Sequence, residues 1–190
     1  MIIEPLKIRD SFRIDTAVHS DTRGSFAEWF RADKFREATG RDLDLRQGNI
    51  SVSKRGVVRG IHFADVPPGQ AKYVTCPSGA ILDFIVDIRV GSPTFGQWDA
   101  VEVNSSLRNA VFLAEGLGHA FVSLQDDTVV SYLVTDTFKP DREHGINPLD
   151  ADLQLDFGLS LEDLHFSDKD REAPTLTEAL GLGLLPTWQG

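Results

Sequence analysis

The chain has 190 residues, a net charge of −10, 41% hydrophobic and 25% charged residues, the profile of an ordinary globular domain with room for a substantial core. The acidic balance argues against a general nucleic-acid binder, which needs a basic face, and apolar runs such as Ala80 to Val86 are too short to span a bilayer. Met1-Ile2-Ile3-Glu4-Pro5 lacks the basic-then-apolar pattern of a signal peptide, and the single cysteine, Cys76, reads as a small buried hydrophobe, so one cytoplasmic domain spanning 1–190 is expected.

Taken in chain order, Asp21-Thr22-Arg23-Gly24 reads first as a turn. Arg31 to Thr39, stopped by Gly40, predicts a short helix. A series of short strands is then predicted at Asn49 to Lys54, Val57 to Phe63, Ala71 to Cys76 and Ala80 to Ile88, followed by Gly96 to Val103, Ala110 to Leu113, His119 to Leu124 and Val129 to Thr135. Turn chemistry separates them: Arg55-Gly56, Pro67-Pro68-Gly69, Pro77-Ser78-Gly79, Gly91-Ser92-Pro93 and Asn104-Ser105. Thr175 to Leu180, entered after Pro174 and followed by Gly181, predicts a second short helix. Many short strands with helices only at the flanks point to a mainly β sandwich or barrel.

Polar residues inside apolar strands are the informative anomaly. Val57-Val58-Arg59-Gly60-Ile61-His62-Phe63 carries an arginine and a histidine. Strict alternation sends Arg59 and His62 to opposite faces, unless Gly60 marks a bulge that brings them together. His119, Lys72, Asp83 and Tyr132 also fall in strands. A lone strand histidine is usually a hydrogen-bonded structural residue, but buried polar groups need partners, and this many together define a pocket. A second group, Arg23, Glu28, Gln47, Asn49 and Ser51, suits a base edge and phosphate, and a few cations focused in a cleft hold a diphosphate even within an acidic protein.

In order and with family-like spacing, the segments Asp21 to Glu28, Gln47 to Phe63, Lys72 to Val74, Asp87 to Trp98 (DIRVGSPTFGQW), Gly116 to Phe121, Tyr132 and Ser167 to Asp170 resemble the dTDP-4-dehydrorhamnose 3,5-epimerase family and its relatives in antibiotic-sugar pathways. The resemblance covers nearly the whole chain. It implies a cupin-type β-barrel, a homodimer with an exchanged N-terminal strand, a dTDP-4-keto-6-deoxyhexose substrate, and no metal or redox cofactor. It also implies His62 as general base with Asp170 as its dyad partner, Tyr132 as proton donor on the opposite face of the sugar, and Lys72 facing the ketone oxygen with Arg59 and His119 nearby. Arg23, Phe26, Glu28, Gln47, Asn49 and Ser51 are the nucleotide-side contacts by the same resemblance; Lys169 and Glu143 lie near the substrate, and Asp83 orients His119.

These residue types fit the chemistry. A carbon beside a ketone loses a proton only if a base of near-neutral pKa meets it and a fixed charge holds the enolate. Histidine, with an unperturbed pKa of about 6.5, is such a base. Inversion then requires a proton from the other face, hence a second group.

The chain departs from the family pattern at Ala64, often Gln; at Phe138, often Tyr and close to the sugar; and at Asn147 to Ala151, which lacks the usual tryptophan and Asp-Pro pair. The departures bear on whether C3, C5 or both are inverted. Two other readings stay open. A metal-dependent cupin needs clustered His and Glu ligands, and Ile61-His62-Phe63-Ala64 lacks the second histidine two residues on. A non-catalytic nucleotide-sugar binder on the same fold would be expected to have lost the base or the acid.

Overall fold

A computed structural model describes all residues, 1–190. Thirteen strands and three α-helices follow one another as β1 (Ile2–Pro5), β2 (Ser11–Asp15), β3 (Val18–Asp21), β4 (Gly24–Ala27), α1 (Ala32–Thr39), β5 (Gln47–Ser53), β6 (Val58–Ala64), β7 (Lys72–Ser78), β8 (Ala80–Val86), β9 (Trp98–Asn104), β10 (Ala110–Leu113), β11 (Gly118–Ser123), β12 (Thr128–Val134), β13 (Glu143–Gly145), α2 (Asp168–Arg171) and α3 (Leu176–Gly181). Two antiparallel sheets face each other: a six-stranded one ordered β1-β2-β10-β7-β12-β5 and a five-stranded one ordered β13-β6-β11-β8-β9. The β3–β4 hairpin stands outside both. This is the mainly β, cupin-type jelly roll expected from the run of short strands.

Packing explains why the central strands read as continuous apolar runs rather than alternating ones. The space between the sheets is filled by Val74, Val111, Leu113 and Val130 from one side and Ile81, Ile85, Val103 and Phe121 from the other. The outer face of the five-stranded sheet is also covered, Phe63, Phe84 and Val86 packing on Leu153, Phe157, Leu164 and Leu176 of the C-terminal segment. The outer face of the six-stranded sheet meets α1, where Phe35 packs on Tyr73 and Phe112. Strands buried on both faces need apolar residues at every position.

The eight predicted central strands all form, Ala110–Leu113 with the expected ends and the others with ends shifted by at most two residues. The first helix ends as expected: Gly40 adopts φ 71° and its N–H reaches the Arg36 carbonyl at 2.9 Å. The second runs one residue later than predicted. Thr175 is its cap, not its first turn, its hydroxyl accepting the Glu178 N–H at 3.2 Å while the Glu178 carboxylate accepts the Thr175 N–H at 2.8 Å. Gly181 therefore lies inside the helix, and Leu182 caps it.

The bulge raised by Gly60 is present. His62 pairs with His119 and Arg59 with Phe121, so three steps on β6 match two on β11. Arg59 and His62 thereby share a face. Glycine is required at the bulge: φ is 122°, and a Cβ would meet the His119 carbonyl at 2.4 Å. No helix is long and apolar enough to cross a membrane.

Candidate active site

Register decides which side chains enter the space between the sheets. Ile81 and Ile85 of β8 point inward, so Asp83 between them does too. Asp83 pairs with Phe121, Ile85 with His119, and His119 with His62, which places all of these on the inner face of the five-stranded sheet. On the facing sheet Lys72 shares its face with inward Val74, and Tyr132 of β12 pairs with Val74 of β7 on one side and Asn49 of β5 on the other. Gln47 and Ser51, two residues either side of Asn49 on β5, follow the same face. Glu143 pairs with Ala64 and so projects on the His62 side of β6.

Gln47, Asn49, His62, Lys72 and Glu143 reach two adjoining clefts, whereas Ser51, Asp83, His119 and Tyr132 share the inner faces of the sheets without lining either. One of 340 Å³ is lined by Gln47, Asn49, His62, Gln70, Lys72, Phe138, Glu143, His144 and Lys169. The other, of 390 Å³, runs along Arg59, His62, His165, Ser167, Lys169 and Asp170. His62 and Lys169 belong to both.

His62 Nε2 lies 2.7 Å from Asp170 Oδ1. The histidine side chain is 39% exposed and Asp170 only 8%, so the pair presents its imidazole and hides its carboxylate. Asp170 is delivered by α2, whose cap Ser167 accepts the Asp170 N–H at 3.1 Å. Burial by itself would raise the Asp170 carboxyl; the His62 hydrogen bond and charge, with help from Ser167 and the Gly60 N–H, outweigh it and hold the group below the usual carboxylate range. A second pair lies deeper: His119 Nε2 is 2.8 Å from Asp83 Oδ2, with Asp83 fully buried and its Oδ1 unpartnered.

Lys72 is buried, and burial pushes its ammonium below the ordinary 10.5; the charges of Glu143 and then Asp83 oppose that push without cancelling it. The Tyr132 phenol is raised, chiefly by burial, with Arg59 pulling it down and Glu143 adding to the rise. Tyr132 is therefore held as the neutral phenol. Arg59 Nε donates to Ser53 Oγ at 3.2 Å. Phe138, 57% exposed, stands at the rim with its N–H donated to Gln47 Oε1 at 3.0 Å.

Of the expected contacts, Arg23, Phe26 and Glu28 stay away from these clefts. Arg23 is at the tip of the β3–β4 hairpin, bonded to Asp21 at 2.5 Å, and Glu28 pairs with Arg31 at 3.3 Å. Phe26 instead lines a separate 430 Å³ cavity with Trp29, Thr75, Cys76 and Ser131. Cys76 is buried, and burial pushes its thiol up to about 11, which fits a packing role. Gln70, His144 and His165 line the clefts although nothing in their local sequence marks them. His62, His119 and His144 each hydrogen-bond a single carboxylate, and no group of three His, Cys, Asp or Glu side chains has metal-ligand geometry.

Fold and site together define a cupin-type protein whose facing sheets carry imidazole, ammonium and phenol on their inner faces. The chain belongs to the dTDP-4-dehydrorhamnose 3,5-epimerase family, whose model matches residues 5–178. It is 49% identical to a dTDP-4-dehydrorhamnose 3,5-epimerase of Mycolicibacterium smegmatis over 99% of this chain and 92% of that one. The crystal structure of NovW, a 4-keto-6-deoxy sugar epimerase from the novobiocin cluster of Streptomyces spheroides, matches with TM-score 0.96 and 48% identity, covering 99% of this chain and 94% of the other. ChmJ, a 3'-monoepimerase from Streptomyces bikiniensis in complex with dTDP-quinovose, matches with TM-score 0.91 and 48% identity over 97% and 93% of the two chains.

Proposed function

We propose that this chain, acting as one domain over 1–190, is a cytoplasmic dTDP-4-dehydro-6-deoxyglucose 3,5-epimerase. The observation that carries the reading is the placement of His62, held by Asp170 of α2, on one sheet and of Tyr132 on the sheet facing it, with Lys72 two residues along the neighbouring strand from Tyr132's partner Val74. A sugar held between the sheets meets a base on one side and an acid on the other. With Nε2 committed to Asp170, His62 offers Nδ1 to the proton on the carbon next to the ketone. The electron pair moves to the ketone oxygen, where the Lys72 ammonium holds the enolate. The Tyr132 phenol then gives its proton to the opposite face of the carbon, and the imidazolium and phenolate exchange protons with solvent to reset the site. Arg59, His119 and Lys169 add positive charge or donors around the substrate, and Gln47, Asn49 and Ser51 supply polar groups to the nucleotide. No step calls for a metal or redox cofactor.

Arg23, Phe26 and Glu28 complete the nucleotide site from a second copy of the chain. The hairpin that carries two of them is bound to neither sheet, and beside it lies exposed apolar surface, with Phe26 66%, Ile50 70% and Val52 60% accessible. A patch of this kind on an open edge strand marks an interface. The homodimer with exchanged N-terminal strands is the form that covers it; a monomeric mass in sedimentation analysis would remove this assignment.

The test of function is incubation with dTDP-4-keto-6-deoxyglucose in heavy water, a reductase trapping the product. Deuterium at C3 and C5 with inversion at both is the expected result. A second reading, inversion at one carbon only, rests on Phe138, which brings no hydroxyl to the rim of the cleft; label and inversion at a single carbon would establish it. No exchange despite dTDP binding would leave a nucleotide-sugar binder, and activity lost to chelators would return a metal cupin.

A further inference from the structure

We propose that Asp65, with His144 and Arg142, is a clamp that fixes Glu143 in the cleft, so that Asp65 and His144 are positioning residues for the epimerisation proposed above, on which this inference rests. Glu143 opens β13, a strand of three residues at the edge of its sheet, paired with β6 alone. So short an edge strand has little hold of its own. Asp65 follows the last residue of β6 and grips β13 from both sides of Glu143. Its Oδ1 lies 2.7 Å from His144 Nε2, and its Oδ2 lies 3.8 Å from Arg142 Nε. Its N–H donates to the Arg142 carbonyl at 3.0 Å. The Arg142 guanidinium also donates to the carbonyls of Asp65 and Pro67. The His144 ring packs on Phe63, centroids 5.4 Å apart, on the face away from His62. With residues 142 and 144 held, alternation leaves Glu143 one direction, into the cleft.

Glu143 has little else to place it. Its one side-chain hydrogen bond is to the Gln70 amide, at 3.4 Å. Yet its charge is felt by both Lys72 and Tyr132, and such an effect depends on distance. An unclamped carboxylate would swing to solvent and leave them.

The test is a double-mutant cycle on the intact protein, reading kcat and KM separately. Asp65→Ala is expected to lower kcat about tenfold with KM changed less than about twofold. Asp65→Asn, which keeps an oxygen for the His144 N–H, should recover most of that loss. Asp65→Ala combined with Glu143→Gln should be no slower than Glu143→Gln alone, within about twofold, because both changes remove one effect. Losses that multiply in the double variant, a rise confined to KM, or an unchanged kcat would each overturn the clamp; a KM effect would mean that His144 touches substrate at the rim. If Asp65→Ala does not fold, His144→Ala compared with His144→Gln poses the same question. Wild-type protein that exchanges no substrate proton would refute the epimerase reading itself, whereas a working wild type with multiplicative losses refutes the clamp alone.

Discussion

His62→Ala abolishes deuterium uptake at the carbons next to the ketone, a loss of about 10³-fold or more, while dTDP affinity stays within a few-fold of wild type. General base catalysis contributes about 10²–10⁴ in rate, and this site has no second base in an equivalent place. His119 is buried against Asp83, and His144, although it borders the cleft, has its ring packed on Phe63 and bonded to Asp65. Asp170 itself is 8% exposed, hidden behind the imidazole it holds. The proposed nucleotide contacts Gln47 and Asn49 share the cleft with His62 but bond to each other and not to the imidazole, so binding is expected to survive. Tyr132→Phe gives the contrasting signature. Proton loss at the His62 face continues, returning label to the same face, while inversion slows far more. Equal losses of exchange and inversion would end the assignment of Tyr132 as the acid, and exchange retained by His62→Ala would end that of His62 as the base. Following exchange and inversion in the same NMR sample separates the two roles.

The central strands β7, β8, β10 and β11 were legible because each is a largely apolar run between turn residues, buried on both faces. The bulge was legible too, since Gly60 between Arg59 and His62 is the residue a bulge would select. The N-terminal strands were not. All four residues of β3 are exposed, so no burial pattern marks them, and β13 is too short to show a period. The α2 helix is Asp-Lys-Asp-Arg, four charged residues with no apolar stripe. Its Asp170 stands 108 residues from His62; only the family resemblance linked them in advance, and the distance between them comes from the fold. His144 and Asp65 lacked even that link. His144 stands among charged residues and Asp65 at a strand end just before Pro67-Pro68, and their meeting depends on β13 returning to the edge of β6.

Lys72→Met separates activity from stability, and the two should move in opposite directions. Removing the cation leaves the enolate oxygen without its charge partner, an expected loss of about 10²–10³ in rate. Methionine fills nearly the same volume and needs no solvation. Whether the fold gains or loses turns on the balance at residue 72. The Glu143 and Asp83 charges favour the ammonium and burial disfavours it, and burial is the larger effect, since the group sits below its ordinary 10.5. The folded state therefore holds this proton less tightly than the unfolded chain does. Stability then rises with pH from the folded-state pKa of Lys72 up to 10.5, because the unfolded chain carries the extra proton across that window. Lys72→Met removes that slope and raises the melting temperature most at the low-pH end of the window, where the wild type still carries the buried charge. Thermal melts of both proteins across this range read the difference directly. A variant that lost stability along with activity, with no change in slope, would mean that the ammonium is held by its carboxylates as a net stabilising ion pair. In that case Lys72 would be a structural cation that the substrate happens to pass. A more stable and nearly inactive protein would show that the fold bears a buried charge for the sake of the reaction.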